Sequence, residues 1–245
     1  MRPTWIACVA ASVCGVVLVP AVPAATAPAR VVSLPEVRAS SVNVPTAARF
    51  RTSAKQVIVV TAPRNKTSHA RLRAYQRVGS GWQAVVNAKA RIGKNGLVLA
   101  GKRRQGSLTT PAGMFSMSQA FGINANPGTA MPFTRIDADH YWVGDNSSPF
   151  YNEMRRASQG GFKRKASEHM ISYRPDYKYG VVIDFNRPNP VRGRGFAIFL
   201  HVNGAGATAG CVSVGAKQMK ALLRWLDPAQ APAIVIGRDS WLRGT

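Results

Sequence analysis

Cysteine is scarce in this chain, which has only three such residues in 245, Cys8, Cys14 and Cys211. The first two lie in an apolar N-terminal stretch that is typical of a cleaved export signal, so we expect Cys211 to be the one thiol left. One thiol cannot form an internal disulfide, which excludes a disulfide-stapled fold. Cys211 is therefore buried and inert, paired with another chain, or reactive.

Acidic residues are also few, ten against 33 lysines and arginines, which gives a formal net charge of +23. This imbalance predicts attraction to polyanions, and the carboxylates and phosphodiesters of a bacterial cell wall are natural anionic partners. Nucleic acid is the competing polyanion. The basic residues are dispersed and show no reading-helix or zinc-finger spacing, so we expect no nucleic-acid partner.

Long apolar runs are missing from most of the chain. The apolar run at residues 6–19 covers about 14 residues, short of the roughly 20 that cross a bilayer. Arg2 is the only charge before it and small residues follow, which predicts a secretory signal peptide over 1–24, with Ala24, Ala25 or Ala27 as the cleavage position. The alternative is an uncleaved anchor. We expect export to the cell envelope and no stable transmembrane span.

Behind the signal, residues 25–54 mix Ala, Pro, Ser and Thr without a period, which predicts a tether. Residues 55–245 then read as one domain that is mainly β with one or two helices. Runs such as "QVIVVTA" and "GVVIDF" are typical of buried strands. In "GAKQMKALLRWLD" one helical face carries Met219, Leu222, Leu223 and Leu226.

Two hydrolytic classes lack their motifs here. A zinc peptidase would need ligands spaced as HExxH or His-x-His, and neither pattern occurs. A muramidase would need two carboxylates, and no signature singles out a pair among Asp145, Glu153, Glu168 and Asp184. We expect no metal and no cofactor.

One glycine-rich segment, "FLHVNGAGATAGCVSV", holds both His201 and Cys211. It predicts a strand ending at the histidine, a loop of small residues, and the cysteine on the segment that follows. Such a loop can bring thiol and imidazole together, so that the ring takes the proton and leaves a thiolate nucleophile. Gly210 beside the thiol would let backbone N–H groups face an oxyanion. The alternative is a tight loop with an incidental cysteine.

Several short motifs resemble the catalytic domain of the L,D-transpeptidases, which are cell-wall enzymes with a cysteine nucleophile. The resemblance spans roughly residues 56–237. It rests on a Thr-Pro-x-Gly segment, on a strand that ends in histidine, and on a Ser/Thr-x-Gly-Cys-Val signature. The matching residues are Thr110, Pro111, Gly113, His201, Thr208, Gly210, Cys211 and Val212.

The resemblance implies an L,D-transpeptidase-like β-sandwich and a reaction on peptidoglycan stem tetrapeptides. Cys211 would attack the carbonyl between the third and fourth residues, D-alanine would leave, and an amine or water would take the acyl group. His201 would be the base, and the N–H groups of Gly210 and Cys211 would hold the oxyanion. It also implies acylation of the cysteine by carbapenems.

Two positions depart from the family pattern. Many members have a second histidine in "SHGC" and an arginine two residues after the cysteine, where this chain has Ala209 and Ser213. The loop after His201 is also shorter than in many members. We therefore expect the site to lack a substrate-orienting cation at position 213, which leaves the identity of the substrate open.

Further substrate contacts are predicted in two regions. The loop offers Asn203, Gly204 and Thr208, and the long irregular stretches offer Asp145, Tyr151 and His169. Asn203 precedes a glycine and is also typical of a turn, and for His169 the favoured alternative is an exposed surface histidine. The alternative function for the whole chain is a basic envelope-binding protein that keeps this fold without catalysis.

Overall fold

The computed structural model describes residues 53–243. The predicted signal peptide, 1–24, and the predicted tether up to residue 52 lie outside the described residues. Thirteen strands are described: β1 (Gln56–Ala62), β2 (His69–Val78), β3 (Gly81–Arg91), β4 (Leu97–Leu99), β5 (Thr110–Gly122), β6 (Phe133–Arg135), β7 (His140–Trp142), β8 (Met154–Arg156), β9 (Glu168–His169), β10 (Gly180–Ile183), β11 (Phe199–Val202), β12 (Val212–Val214) and β13 (Ala233–Arg238).

Two α-helices accompany these strands within residues 53–243, namely α1 (Ala216–Trp225) and α2 (Asp239–Arg243). The prediction of a mainly β domain with one or two helices is therefore confirmed. In this part of the chain no helix is long and apolar enough to cross a membrane.

Ten strands form one sheet in the order β10-β11-β12-β3-β2-β1-β13-β5-β4, with β6 added alongside β5. Strand β10 also pairs with β5, so the sheet returns on itself and encloses its core. The β1–β13 and β11–β12 pairs are parallel, whereas the long β2–β3 hairpin is antiparallel. The glycine-rich segment that holds His201 and Cys211 therefore connects two adjacent parallel strands, β11 and β12, of a closed sheet.

The main core lies inside this closed sheet. Strand β1 contributes Ile58, Val60 and Ala62 by alternation, as a period of two requires. Helix α1 covers one side of the core with the predicted face, since Met219, Leu222, Leu223 and Leu226 are all buried there. Burial of each large aliphatic side chain contributes about 1.5–3 kcal/mol, so this stripe explains why a short helix is held in place.

A second apolar cluster lies on the other face of β10 and β11. It contains Phe121, Trp142, Phe199 and Cys211, and Phe199 meets the Trp142 ring edge to face at 4.8 Å. Strands β8, β7 and β9 form a small separate sheet within residues 140–169. The sequence predicts a strand in "HYWVG" and an irregular stretch over 145–174, and two short strands, β8 and β9, lie within that stretch.

Candidate active site

The pairing of β11 with β12 places the predicted histidine and cysteine. His201 lies opposite Ser213 and Leu200 opposite Val212, so Cys211 comes next to Phe199. Since side chains alternate along a strand, Leu200 and Val212 point into the main core, and His201 and Cys211 belong to the opposite face. The alternation therefore brings thiol and imidazole to one side of the sheet.

The two groups share a cavity but no hydrogen bond. They occupy diagonal positions, two residues apart along the strand and one strand over, which corresponds to a Cα separation of about 8 Å. The thiol instead donates to the Ala197 carbonyl at 3.3 Å and accepts the N–H of Phe199 at 3.3 Å. In this arrangement the thiol and the imidazole each have a different hydrogen-bond partner.

The cavity beside them has a volume of about 470 Å³, within the range of sites that take small molecules or peptide termini. Its walls come from four parts of the chain: the turn after β4, the segment before β10, the approach to β11, and the glycine-rich loop. The residues that matter chemically are Arg103, Glu168, Tyr173, Asp176, Tyr177, His201, Thr208, Cys211 and Ser213.

The tautomer of His201 follows from its hydrogen bond. Its Nδ1 lies 2.8 Å from the carbonyl oxygen of Val202, which can only accept, so Nδ1 carries a proton. Burial lowers the pKa of His201, although this hydrogen bond and the nearby Asp176 carboxylate oppose the shift. The ring is therefore neutral at neutral pH, with Nε2 as the basic nitrogen.

Cys211 is a protonated thiol in this conformation. Burial raises its pKa to about 12, and the charge of Glu168 acts in the same direction. The N–H of Phe199 and the Arg103 guanidinium oppose the shift. A neutral thiol and a neutral imidazole are therefore the resting states of these two groups.

Thr208 organises the backbone around the cysteine. Its Oγ1 donates to the Cys211 carbonyl at 2.7 Å and accepts the Gly210 N–H at 3.1 Å. The hydroxyl of Thr110 also donates to that carbonyl, at 3.4 Å, and accepts the N–H of Gly93. The Thr-Pro-x-Gly segment thus meets the cysteine through Thr110, and the predicted oxyanion donor Gly210 is engaged by Thr208 in this conformation.

Arg103 is a cavity residue that the sequence gives no reason to select. Its side chain is buried, and it donates from Nε to the Thr109 carbonyl at 2.9 Å and from Nη1 to the Arg194 carbonyl at 3.2 Å. The sequence predicts the loss of a cation at position 213, and Ser213 does line the cavity. A guanidinium from a remote segment nevertheless lines the same cavity.

A second unpredicted group consists of Glu168, Asp176 and Tyr177. Tyr177 donates to Glu168 at 2.5 Å and meets the His201 ring edge to face at 5.5 Å. Burial raises the pKa of Glu168 to about 7. These residues carry no recognisable motif, and only the packing of residues 168–177 over β11 brings them to the cavity.

Of the six predicted substrate contacts, two line the cavity and four do not. Among the loop residues, Gly204 and Thr208 line the cavity, whereas Asn203 is exposed beside it and borders a neighbouring groove. Asp145 accepts from the Ser147 N–H and hydroxyl and from the Lys163 N–H, so its carboxylate organises its own loop.

Tyr151 and His169 also lie outside the cavity lining. Tyr151 is buried, donates to the Gln105 side chain at 2.8 Å and accepts the N–H of Gly195 at 3.1 Å. It therefore supports two residues of the cavity wall from behind. His169 stacks on Tyr141 at 4.4 Å with Nε2 2.8 Å from a backbone carbonyl, which makes it part of the covering segment.

A closed β-sheet that brings a buried cysteine and a neutral histidine to one cavity has the groups needed for cysteine-dependent acyl transfer. The sequence of residues 55–236 matches the family model for YkuD, the L,D-transpeptidase catalytic domain. The chain therefore belongs to the L,D-transpeptidase family, whose members are cysteine transpeptidases of peptidoglycan. The predicted L,D-transpeptidase-like β-sandwich is confirmed.

Among solved structures, the chain is similar to that of Bd1075 from Bdellovibrio bacteriovorus. The two are 18% identical, with a TM-score of 0.40, over 75% of this chain and 48% of that one. This chain thus matches about half the length of that protein. No curated protein matches it.

Proposed function

We propose that this protein is an exported cell-wall enzyme that transfers acyl groups from peptidoglycan stem tetrapeptides through Cys211. The observation that carries the proposal is the shared cavity, in which the thiol and the basic Nε2 of His201 lie on one face of β11 and β12. Both groups are neutral at rest, which suits a pair that exchanges one proton.

In the first step the thiol rotates toward His201 and its proton passes to Nε2. The sulfur attacks the carbonyl between the third and fourth stem residues, the carbon–sulfur bond forms, and the carbonyl electron pair moves to oxygen. Collapse of this oxyanion breaks the carbon–nitrogen bond. His201 returns its proton to the leaving amine, so that D-alanine departs and an acyl-enzyme remains.

In the second step an acceptor attacks the thioester. An amine on a neighbouring stem gives a 3→3 cross-link, whereas water gives net carboxypeptidase activity, and His201 takes the acceptor proton in either case. The thiolate then leaves and is reprotonated. No redox step occurs, and no metal or cofactor is required by this chemistry.

The charge of the chain agrees with this substrate. Loss of a signal peptide whose one charge is Arg2 would leave a net charge of about +22. A protein this basic would be held at anionic cell-wall polymers after export, close to its stem peptides. Export itself would be tested by N-terminal sequencing of protein recovered from the culture medium or envelope.

The proposal is tested by incubating the purified protein with a carbapenem and measuring intact mass. We expect one adduct on the wild-type chain and none on Cys211→Ala. A tetrapeptide with a free amine as acceptor should then give D-alanine release and either dimer or tripeptide. Absence of any adduct on a folded wild-type chain would contradict the proposal.

One observation favours the alternative, a binding protein without catalysis. The thiol is hydrogen-bonded away from His201, and burial raises its pKa to about 12, as in an inert cysteine. That alternative predicts an unreactive Cys211 and normal sedimentation with purified cell walls. The adduct experiment and a wall-binding assay on the same samples separate the two functions.

A further inference from the structure

The Arg103 guanidinium is a buried cation without an acidic partner. The side chain is 4% exposed, and no carboxylate within residues 53–243 forms an ion pair with it. Burial lowers the pKa of Arg103, whereas the nearby Cys211 and Tyr151 groups oppose the shift. Burying an unpaired charge is unfavourable, so a buried guanidinium near the thiol points to a functional role for its charge.

Backbone carbonyls fix the direction of this guanidinium. Nε donates to Thr109 and Nη1 donates to Arg194, and the Phe185 ring lies 5.4 Å below the central carbon. Nη2 has no acceptor within residues 53–243, and it is not among the fully enclosed polar atoms that lack a partner. Its donors are therefore free, and Arg103 is one of the residues that line the cavity.

Two glycines make room for the guanidinium. At Gly195 (φ +121°) a Cβ would lie 1.6 Å from Nη1, and at Gly210 (φ +145°) it would lie 2.8 Å from Nη2. Gly210 immediately precedes Cys211, so Nη2 lies against the backbone next to the nucleophile. The predicted N–H donor at Gly210 is meanwhile held by Thr208.

We propose that Arg103 is a catalytic residue whose Nη2 donates a hydrogen bond to the oxyanion formed when Cys211 attacks a carbonyl. This inference rests on the proposed function. In the attack the carbonyl electron pair moves to oxygen, and the fixed cation stabilises that charge without first reorienting. When the intermediate collapses, the pair reforms the carbonyl, and Arg103 neither gains nor loses a proton.

The test compares two reactions of the same thiol. A carbapenem acylates it through an oxyanion, whereas iodoacetamide alkylates it by displacement, with no oxyanion. For Arg103→Met we expect acylation to slow by about 10²-fold or more, as for loss of one oxyanion donor. Alkylation should change at most about tenfold, the effect of one pKa unit on the thiolate.

Two further variants separate the geometry of the guanidinium from its charge and control for the loss of an arginine elsewhere. Arg103→Lys keeps the charge, but its single nitrogen cannot occupy the separate positions of Nε and Nη1 and also place a donor where Nη2 lies, so we expect it to slow acylation at least about tenfold. Arg77→Met removes an exposed arginine away from the cavity and should leave both rates unchanged. Thermal unfolding of each variant shows whether it is folded.

Three outcomes would overturn the inference. Acylation at the wild-type rate in both Arg103 variants would exclude the contact. Equal losses of acylation and alkylation would mean that Arg103 acts on the thiolate alone. A folded wild-type chain that is alkylated but never acylated would overturn the proposed function itself, and this inference with it.

Discussion

Tyr177 donates a hydrogen bond of 2.5 Å to Glu168 at the wall of the cavity that holds Cys211. Burial raises the pKa of Glu168 to about 7, although this hydrogen bond opposes the shift. The carboxyl is therefore neutral in mild acid and charged in mild base. Its charge in turn raises the pKa of Cys211, so the reactivity of the thiol depends on the proton of a neighbour.

The variant Glu168→Gln should increase the rate of thiol alkylation above pH 7. There the wild-type carboxylate disfavours a second negative charge, and its removal should raise the rate about threefold to tenfold, given a tenfold change in thiolate per pKa unit. Below about pH 7, where Glu168 is protonated, the two rates should converge. Iodoacetamide labelling from pH 5.5 to 9 measures the rates of both proteins above and below this pH.

Glu153→Gln serves as the control for that series, because Glu153 is exposed and does not line the cavity. It should match the wild type at every pH. A constant ratio between Glu168→Gln and the wild type across the whole range would show that Glu168 does not act through its charge.

His201→Gln should lower the rate of carbapenem acylation by roughly 10²–10⁴-fold, the usual contribution of a general base. The buried imidazole has a lowered pKa, so the neutral base persists below pH 6.5 and wild-type acylation should not fall until the pH is lower still. Stopped-flow acylation measures both effects. His69→Gln, at an exposed histidine on β2, should behave as the wild type, and equal rates in the two variants would exclude His201 as the base.

Local patterns predicted the parts of the fold that depend on neighbours in sequence. Strand β1 follows from a continuous apolar run and is buried on both faces, and helix α1 follows from a period of 3.6 and buries the predicted face. Strand β5 was not predicted, because its first half contains Pro111 and Gly113, which usually interrupt strands. Its thirteen residues are held by pairing with β13 and β10, which no local pattern encodes.

The residues of the candidate site also fall into two groups, those predicted from local sequence and those that only tertiary folding brings to the cavity. His201 and Cys211 lie on one short segment, so a strand and a loop were enough to predict that they come together, whereas their shared face follows from the pairing of β11 with β12. Arg103 and Glu168 reach the cavity only because the sheet closes and residues 145–177 fold over it. Tertiary contacts also decide where strand β11 begins. It begins only at Phe199, because Ala197 has a φ of +53° and donates its N–H to Asn152.

Thr208→Val should remove the hydrogen bonds that hold the backbone around the nucleophile while keeping the shape of the side chain. The variant loses the donor to the Cys211 carbonyl and leaves the Gly210 N–H without its acceptor, which should cost about 1–3 kcal/mol of unfolding free energy. Acylation should slow as well, because the cysteine backbone is less well fixed. Thr208→Ser keeps the hydroxyl and should retain most of both properties in urea unfolding and acylation assays, and equal losses would contradict this role.

Gly210→Ala and Gly206→Ala separate backbone strain from crowding. Both glycines have φ near +150°, a conformation that an L side chain rarely adopts, with values of +145° and +151°. A Cβ at Gly206 meets nothing within 4 Å, whereas one at Gly210 meets Arg103 and the Thr109 carbonyl at less than 3.0 Å. Strain should cost each variant about 1–3 kcal/mol, and overpacking should cost Gly210→Ala about 1–3 kcal/mol more. Urea unfolding is the appropriate measurement, because Gly206 also lines the cavity, and equal stabilities would mean that the guanidinium is not fixed against Gly210.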